Sequence, residues 1–222
     1  MAPFVIKDEV VNQKMHIQPF FPTPIGIIRI DEAVNKKILE LIKIKQLKFR
    51  KNTGSGGNSI SSDLHILDND ELSDIKKVLI DSVNEYFKEI VNSDQGVELY
   101  ITNSWINVTK NGESHQLHKH KNSILSAVLY IDTCEEDTIT FITEHDVFGN
   151  LSFTSTPTTM WDSTKWTASA ETDTLIIFPS TLQHRVSPRP NACTGTRISL
   201  SFNTWFKDTV RSGEGSSTQL DL

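Results

Sequence analysis

From Val97 to Phe206 the chain breaks into short apolar or alternating runs with no helical periodicity between them. Val97–Val108, Ser123–Ile131, Asp137–Ile142, Thr174–Phe178, Gln183–Val186 and Thr196–Phe206 read as strands, with Asn150–Thr156 and Thr158–Trp161 as shorter candidates. Seven or eight strands at such spacing suggest a double-sheet barrel of the jelly-roll or cupin type. Leu175–Phe178 and Ile124–Ile131, the latter interrupted by Ser126, are apolar runs that read as buried strands.

Upstream the pattern changes to a helical one. Ile25–Ile30 fits a strand whose preceding prolines, Pro22 and Pro24, confine its start to a sheet edge. Asp31 is placed to cap a helix over Glu32–Lys48, whose positions Val34, Ile38, Leu41 and Ile42 follow helical spacing. A second helix runs from Asp70 or Glu71 to Val91, with Leu72, Ile75, Leu79, Val83, Phe87 and Ile90 on one stripe. Two helices ahead of a run of strands give an α+β domain in which the helices pack on one sheet of the double-stranded barrel. The expected organisation is a leader over residues 1–18, a single domain over 19–207 and a flexible tail over 208–222. The glycine-rich stretch Asn52–Ser59 lacks the Gly-Lys-Ser/Thr of a phosphate loop and reads as a linker or, alternatively, as a lid over Gly54–Gly57.

Composition narrows the classes of partner. A chain of 222 residues can bury about 70–75% of its unfolded surface and needs no covalent staple. Cys134 and Cys193 have no metal-type spacing and are expected to be free thiols in a reducing compartment. The net charge of −6 argues against a nucleic-acid or anionic-membrane footprint. The N-terminus lacks the layout of a signal peptide, so the expectation is a soluble cytoplasmic protein, monomer or homodimer.

Three of the seven histidines fall in Ser114-His115-Gln116-Leu117-His118-Lys119-His120, just ahead of a buried strand. Neutral imidazole suits Zn, Cu, Fe and Ni. In extended chain His118 and His120 project to one side, whereas His115 and His118, three apart, point to opposite faces. His184 follows the apolar run Leu175–Phe178 and the turn at Pro179, which would carry it into the barrel. Arg197 and Ser199 share one face of an otherwise apolar strand, and a buried arginine needs an anion that the neighbouring sequence lacks. A bound carboxylate would satisfy it. Trp105 and Asn107 share a strand face; Trp161 and Trp166 sit in an irregular stretch and could line an entrance, or simply anchor loops. His16 and His145 are read as surface residues, and His65 as packed or surface.

These residues carry a resemblance. His118-Lys119-His120 with a distant His184 and an Arg197-x-Ser199 face resemble the Fe(II)/2-oxoglutarate-dependent oxygenases. Phe20-Phe21-Pro22-Thr23-Pro24-Ile25, Ser104–Val108, Leu125–Ile131, Phe178–Pro188 and Arg197–Asn203 are similar to a bacterial and phage group related to prolyl 4-hydroxylases. The resemblance spans roughly residues 19–206. It implies a double-stranded β-helix that holds Fe(II) on His118, His120 and His184, with 2-oxoglutarate as co-substrate and dioxygen as oxidant. By the same resemblance Arg197 grips the distal carboxylate of the oxoacid, assisted by the Ser199 hydroxyl; separately, Asn107 could bond the co-substrate or a ligand histidine and Tyr130 could donate to the oxoacid carboxylate, though either could be core instead. His115 and Trp105 would lie on the substrate side. The implied reaction is hydroxylation of a peptide residue, prolyl or other, or of a small molecule. The wider superfamily has a carboxylate where this chain has His120, so a two-histidine site completed by water, Asp162 or Glu144 stays open. The alternative to oxoacid chemistry is a cupin-type metal protein or an oxoacid-independent dioxygenase on the same three histidines.

Overall fold

The computed structural model describes residues 22–44, 47–53, 56–91, 97–144, 161 and 163–207. The described chain runs β1 (Gly26–Arg29), α1 (Glu32–Ile44), β2 (Phe49–Lys51), β3 (Ser59–Ser61) and α2 (Ser73–Val91), then eight further strands. These are β4 (Leu99–Thr109), β5 (His115–His118), β6 (Leu125–Asp132), β7 (Thr138–Ile142), β8 (Lys165–Ser169), β9 (Thr174–Pro179), β10 (Gln183–Val186) and β11 (Arg197–Phe206).

They form two antiparallel sheets. The larger has the order β1-β9-β6-β11-β4-β3-β2 and the smaller β5-β10-β7-β8. Alternation along the central strands divides their side chains between two layers. Ala127, Leu129, Ile131, Leu175, Ile177, Leu200 and Phe202 face α1 and α2, where they meet Ile38, Leu41, Ile75, Leu79 and Val83. Val128, Tyr130, Ile176 and Phe178 point the other way and pack on Ile139 and Phe141 of the smaller sheet. This is the expected double-stranded β-helix with two helices on one sheet.

Local signals account for most boundaries. The Asp31 carboxylate accepts the Ala33 N–H at 2.8 Å and so caps α1. α1 ends at Ile44, short of the expected Lys48. Two 3₁₀ turns, Ile66–Asp68 and Asp70–Leu72, precede α2, and Asn69 caps the second through the Glu71 N–H at 3.1 Å. Four strands had no clear sequence signal: β2, β3, β5 and β8 are three to five residues long, too short to show a period. Trp166, expected in an irregular stretch, lies on the edge strand β8.

The cysteines correct the sequence reading. Cys134 and Cys193, 59 residues apart, form a disulfide rather than two free thiols. The turn after β6 and the loop before β11 bring them together, a proximity that spacing alone cannot reveal. Among the described residues no helix is long and apolar enough to cross a membrane. The expected leader and tail, the Asn150–Thr156 strand and most of Thr158–Trp161 lie outside the described residues, as do His16, His145 and Asp162.

Candidate metal centre and anion pocket

The two sheets enclose a cavity whose lining includes Trp105, Asn107, His115, His118, His120, Tyr130, His184, Arg197 and Ser199. Among the described residues singled out as site candidates, all but Trp161, Trp166 and Glu144 converge on this one space. Glu144 is elsewhere too, accepting a hydrogen bond from Gln183 at 2.5 Å.

At one end stand the histidines. β5 pairs with β10 so that His118 lies opposite His184, and His120 follows just beyond β5. Ring centroids are 4.2 Å apart for His118 and His184, 5.2 Å for His118 and His120, and 5.1 Å for His120 and His184. One ring nitrogen from each of the three lies within 4.8 Å of the others, a spacing that can hold a metal ion. Burial keeps the imidazoles neutral, which is the ligating form. It pushes His184 down to about 3, helped by His118, and lowers His118 and His120 as well.

His115 departs from expectation. It stacks on His118 with centroids 4.2 Å apart and an interplanar angle of 12°, on the same side rather than the opposite one. The reason is a register shift: His118 pairs with His184 but His115 pairs with Val186, so three steps on β5 match two on β10. A bulge of this kind turns an i, i+3 pair to one face. His115 remains outside the three-nitrogen cluster, and burial followed by the neighbouring His118 pushes it down to about 3.

The wall beside His115 comes from the β2–β3 hairpin. Gly57 bridges to Ser114, and Lys51 binds Glu113 at 2.5 Å. Gly56 has φ +76°, and a Cβ there would sit 2.1 Å from the Ser114 hydroxyl, so only glycine permits this close approach. Asn58, buried next to it, lines the cavity. Gly54 and Ser55 of the suggested lid lie outside the described residues.

At the other end is Arg197, on the central strand β11. Residues Arg197, Ser199, Ser201 and Asn203 are all buried on the β11 face opposite that of Leu200 and Phe202. The Arg197 guanidinium reaches Thr109 Oγ1 at 3.3 Å and stands 3.6 Å from an Asp137 oxygen, while its Nε is buried with no partner. Asp137 is thus an internal anion for Arg197 that was not apparent in the neighbouring sequence. It does not belong to Arg197 alone. Arg189 Nε donates to both Asp137 oxygens at 3.3 Å, and Arg189 also donates to Asn111 Oδ1 and the Gly195 carbonyl. The Cys134 N–H donates to the same carboxylate, next to the disulfide. Two buried guanidiniums therefore share one carboxylate, and Arg197 is the less satisfied of the two. Burial lowers its pKa, against the pull of Tyr130 and Asp137. Tyr130, fully buried on the same wall, is pushed up to about 12 by burial. Asn107 donates to Ser201 Oγ at 2.9 Å and leaves its own carbonyl oxygen buried without a partner.

Sequence reasoning missed Asp137, Arg189, Ser126 and Asn203. For Asn203 a signal existed: it extends the Arg197-x-Ser199-x-Ser201 alternation by two further residues. Asp137 and Arg189, 52 residues apart, meet only through tertiary structure.

Fold and site together define a double-stranded β-helix with a three-histidine metal-binding cluster and a buried arginine. The model of a family described as "Putative 2OG-Fe(II) oxygenase" matches residues 103–203, the span from β4 to β11 that holds the three histidines and Arg197. The matched segment is a little under half of the 222 residues. Solved structures with the same fold include a Pseudomonas putida prolyl-4-hydroxylase, with a TM-score of 0.56, 12% identity and coverage of 83% of this chain and 92% of that one. The α-ketoglutarate-dependent epimerase SnoN from nogalamycin biosynthesis gives a TM-score of 0.60 at 12% identity, covering 88% and 83%. HygX from Streptomyces hygroscopicus, solved with nickel, 2-oxoglutarate and hygromycin B, gives 0.56 at 10% identity, covering 82% of each chain. No curated protein matches the sequence.

Proposed function

We propose that the chain is an Fe(II)- and 2-oxoglutarate-dependent dioxygenase. The donor set is compatible with iron: three neutral imidazoles, His184 buried and His118 and His120 half-buried, a ligand type that iron shares with zinc, copper and nickel. The observation that carries the oxoacid half is the unpartnered Arg197 Nε, together with the surplus positive charge of Arg189 and Arg197 over Asp137. A buried cation short of partners calls for an anion, and charge-assisted bonds to a carboxylate would supply it.

In this reading His118, His120 and His184 hold the iron and Arg197 takes the distal carboxylate of the oxoacid. Ser199 and Tyr130 stand on the same wall, and Asn107 contributes a free carbonyl to it. Bound together, iron and oxoacid would supply the activation of dioxygen for insertion into a C–H bond. Trp105, with its ring centroid 5.7 Å from that of His120, and His115 would form the substrate side. The substrate class proposed is a peptide, at a prolyl or another residue, with a small molecule as the other option. The domain would span residues 19–207, as a monomer or homodimer in the cytoplasm.

A specific observation favours a second reading. Asp137, 3.6 Å from Arg197, already supplies part of its counter-charge, and the ligand set lacks the carboxylate of the wider superfamily. An oxoacid-independent dioxygenase or a cupin-type metal protein would use the same three histidines. Anaerobic titration separates the two. Fe(II) followed by 2-oxoglutarate should give a visible metal-to-ligand charge-transfer band, with succinate released in air on a peptide substrate. Iron binding with no band and no oxoacid uptake would establish the second reading.

A further inference from the structure

The three candidate ligands are held from behind in two different ways. His118 Nδ1 lies 2.8 Å from the Gln116 carbonyl oxygen, and His184 Nδ1 lies 3.1 Å from that of Leu182. A peptide oxygen can only accept, so each of these neutral rings carries its proton on Nδ1 and leaves a bare lone pair on Nε2. Backbone contacts within two residues fix both tautomers.

His120 lacks such a contact. Its Nδ1 faces the side-chain amide oxygen of Asn203 at 2.5 Å, with Ser126 Oγ at 3.0 Å. The Ser126 hydroxyl donates to the same amide oxygen at 2.7 Å. Behind it Ser180 Oγ lies 2.7 Å from both Ser126 and Ser123, all three serines being buried. A buried chain of hydroxyls thus ends on Asn203, and Asn203 ends on the imidazole.

The direction of that amide decides what His120 does. Its Nε2 is 3.2 Å from His118 Nε2, which is bare. Were Asn203 to present its NH₂ group, His120 would take its proton on Nε2 and donate it to His118, closing the pair on itself. With the oxygen presented, the proton stays on Nδ1. Two lone pairs then face one another across the centre, an arrangement that a cation relieves. We infer that Asn203, backed by Ser126, is the positioning residue that keeps His120 in the ligating tautomer and so lets an imidazole stand where the wider superfamily has a carboxylate. The inference rests on the reading of His118, His120 and His184 as ligands. Outer partners of this kind orient ligating histidines and tune the metal.

The test uses the full chain with ¹⁵N-labelled histidine. In the metal-free protein at neutral pH, long-range ¹H–¹⁵N spectra should show His120 protonated on Nδ1, and Asn203→Leu should move the proton to Nε2. Anaerobic Fe(II) titration should then show binding weakened about 10–100-fold in Asn203→Leu. Asn203→Asp keeps an oxygen acceptor and should restore binding to within a few-fold of the native chain. His120 protonated on Nε2 in the native protein, or native iron affinity in Asn203→Leu, would overturn the role of Asn203. Absence of iron binding by the native chain would instead sink the metal reading, while the tautomer spectra would still decide what Asn203 does.

Discussion

At one end of the cavity three imidazoles are stripped of charge by burial, and each has its rear nitrogen held by an oxygen acceptor. At the other end two guanidiniums share a single carboxylate and one guanidinium nitrogen has no partner. The contrast is between a neutral site completed internally and a charged site left one anion short. It also follows the scaffold. His118 and His184 lie on the short strands β5 and β10 of the smaller sheet, whereas Arg197 lies on β11, at the middle of the larger one. The two ends are nonetheless equally dry at their deepest residues, His184 and Arg197 each being 4% exposed.

The severest way to break the comparison is to remove a histidine. His184→Ala should abolish stoichiometric Fe(II) binding in anaerobic calorimetry, because His118 and His120 alone leave the cluster open on that side; one retained equivalent of iron would refute the neutral end as a metal centre. Next in size is the disulfide, which fastens the loops carrying Asp137 and Arg189. Cys134→Ser should cost about 2–4 kcal/mol in urea unfolding. Its effect on ligands should be one-sided, weakening 2-oxoglutarate more than iron.

Arg197→Met probes the charged end directly. Loss of charge-assisted bonds worth about 1.5–3 kcal/mol should raise the oxoacid Kd roughly 10–100-fold, with iron affinity within about twofold. An unchanged Kd would remove Arg197 from the pocket and favour the oxoacid-independent reading. The smallest effect is on pH. His115 and His184 titrate near 3 in the fold but near their ordinary value in the unfolded chain. The unfolded state therefore binds protons first, so the metal-free protein should lose stability as pH falls from about 6.5 toward 3 and show no such contribution above 6.5. Thermal midpoints should follow that slope, and His115→Phe, which preserves the stack, should make it shallower.

How much of this was legible in the sequence depends on whether a feature is local. The stripe of α2, the Asp31 cap and the alternation of β11 are written in neighbouring residues and stand in the structure, except that Ile90, expected on the stripe, is exposed at the helix end and Leu72 lies in the turn before α2. So is the spacing of His118 and His120. The stacking of His115 on His118 was not legible, because it follows from a bulge fixed by the partner strand. Nor were the disulfide and the Arg189–Asp137 pair, whose members lie 59 and 52 residues apart. Hydrophobic period encodes which face a residue occupies but carries nothing about which distant charge it will meet.

β11 presents Arg197, Ser199, Ser201 and Asn203 in succession on one face, so the anion seat and the support of His120 are graduations on a single rigid rule. A strand neither stretches nor compresses by a fraction of a residue, and inserting one residue would turn everything beyond it to the helix side. The gap between the two ends can change only in steps of two residues, about 7 Å. On the reading proposed above, a molecule spanning imidazoles and guanidinium would be selected by length before its chemistry is read, and a longer or shorter acid would need a different strand rather than a different side chain.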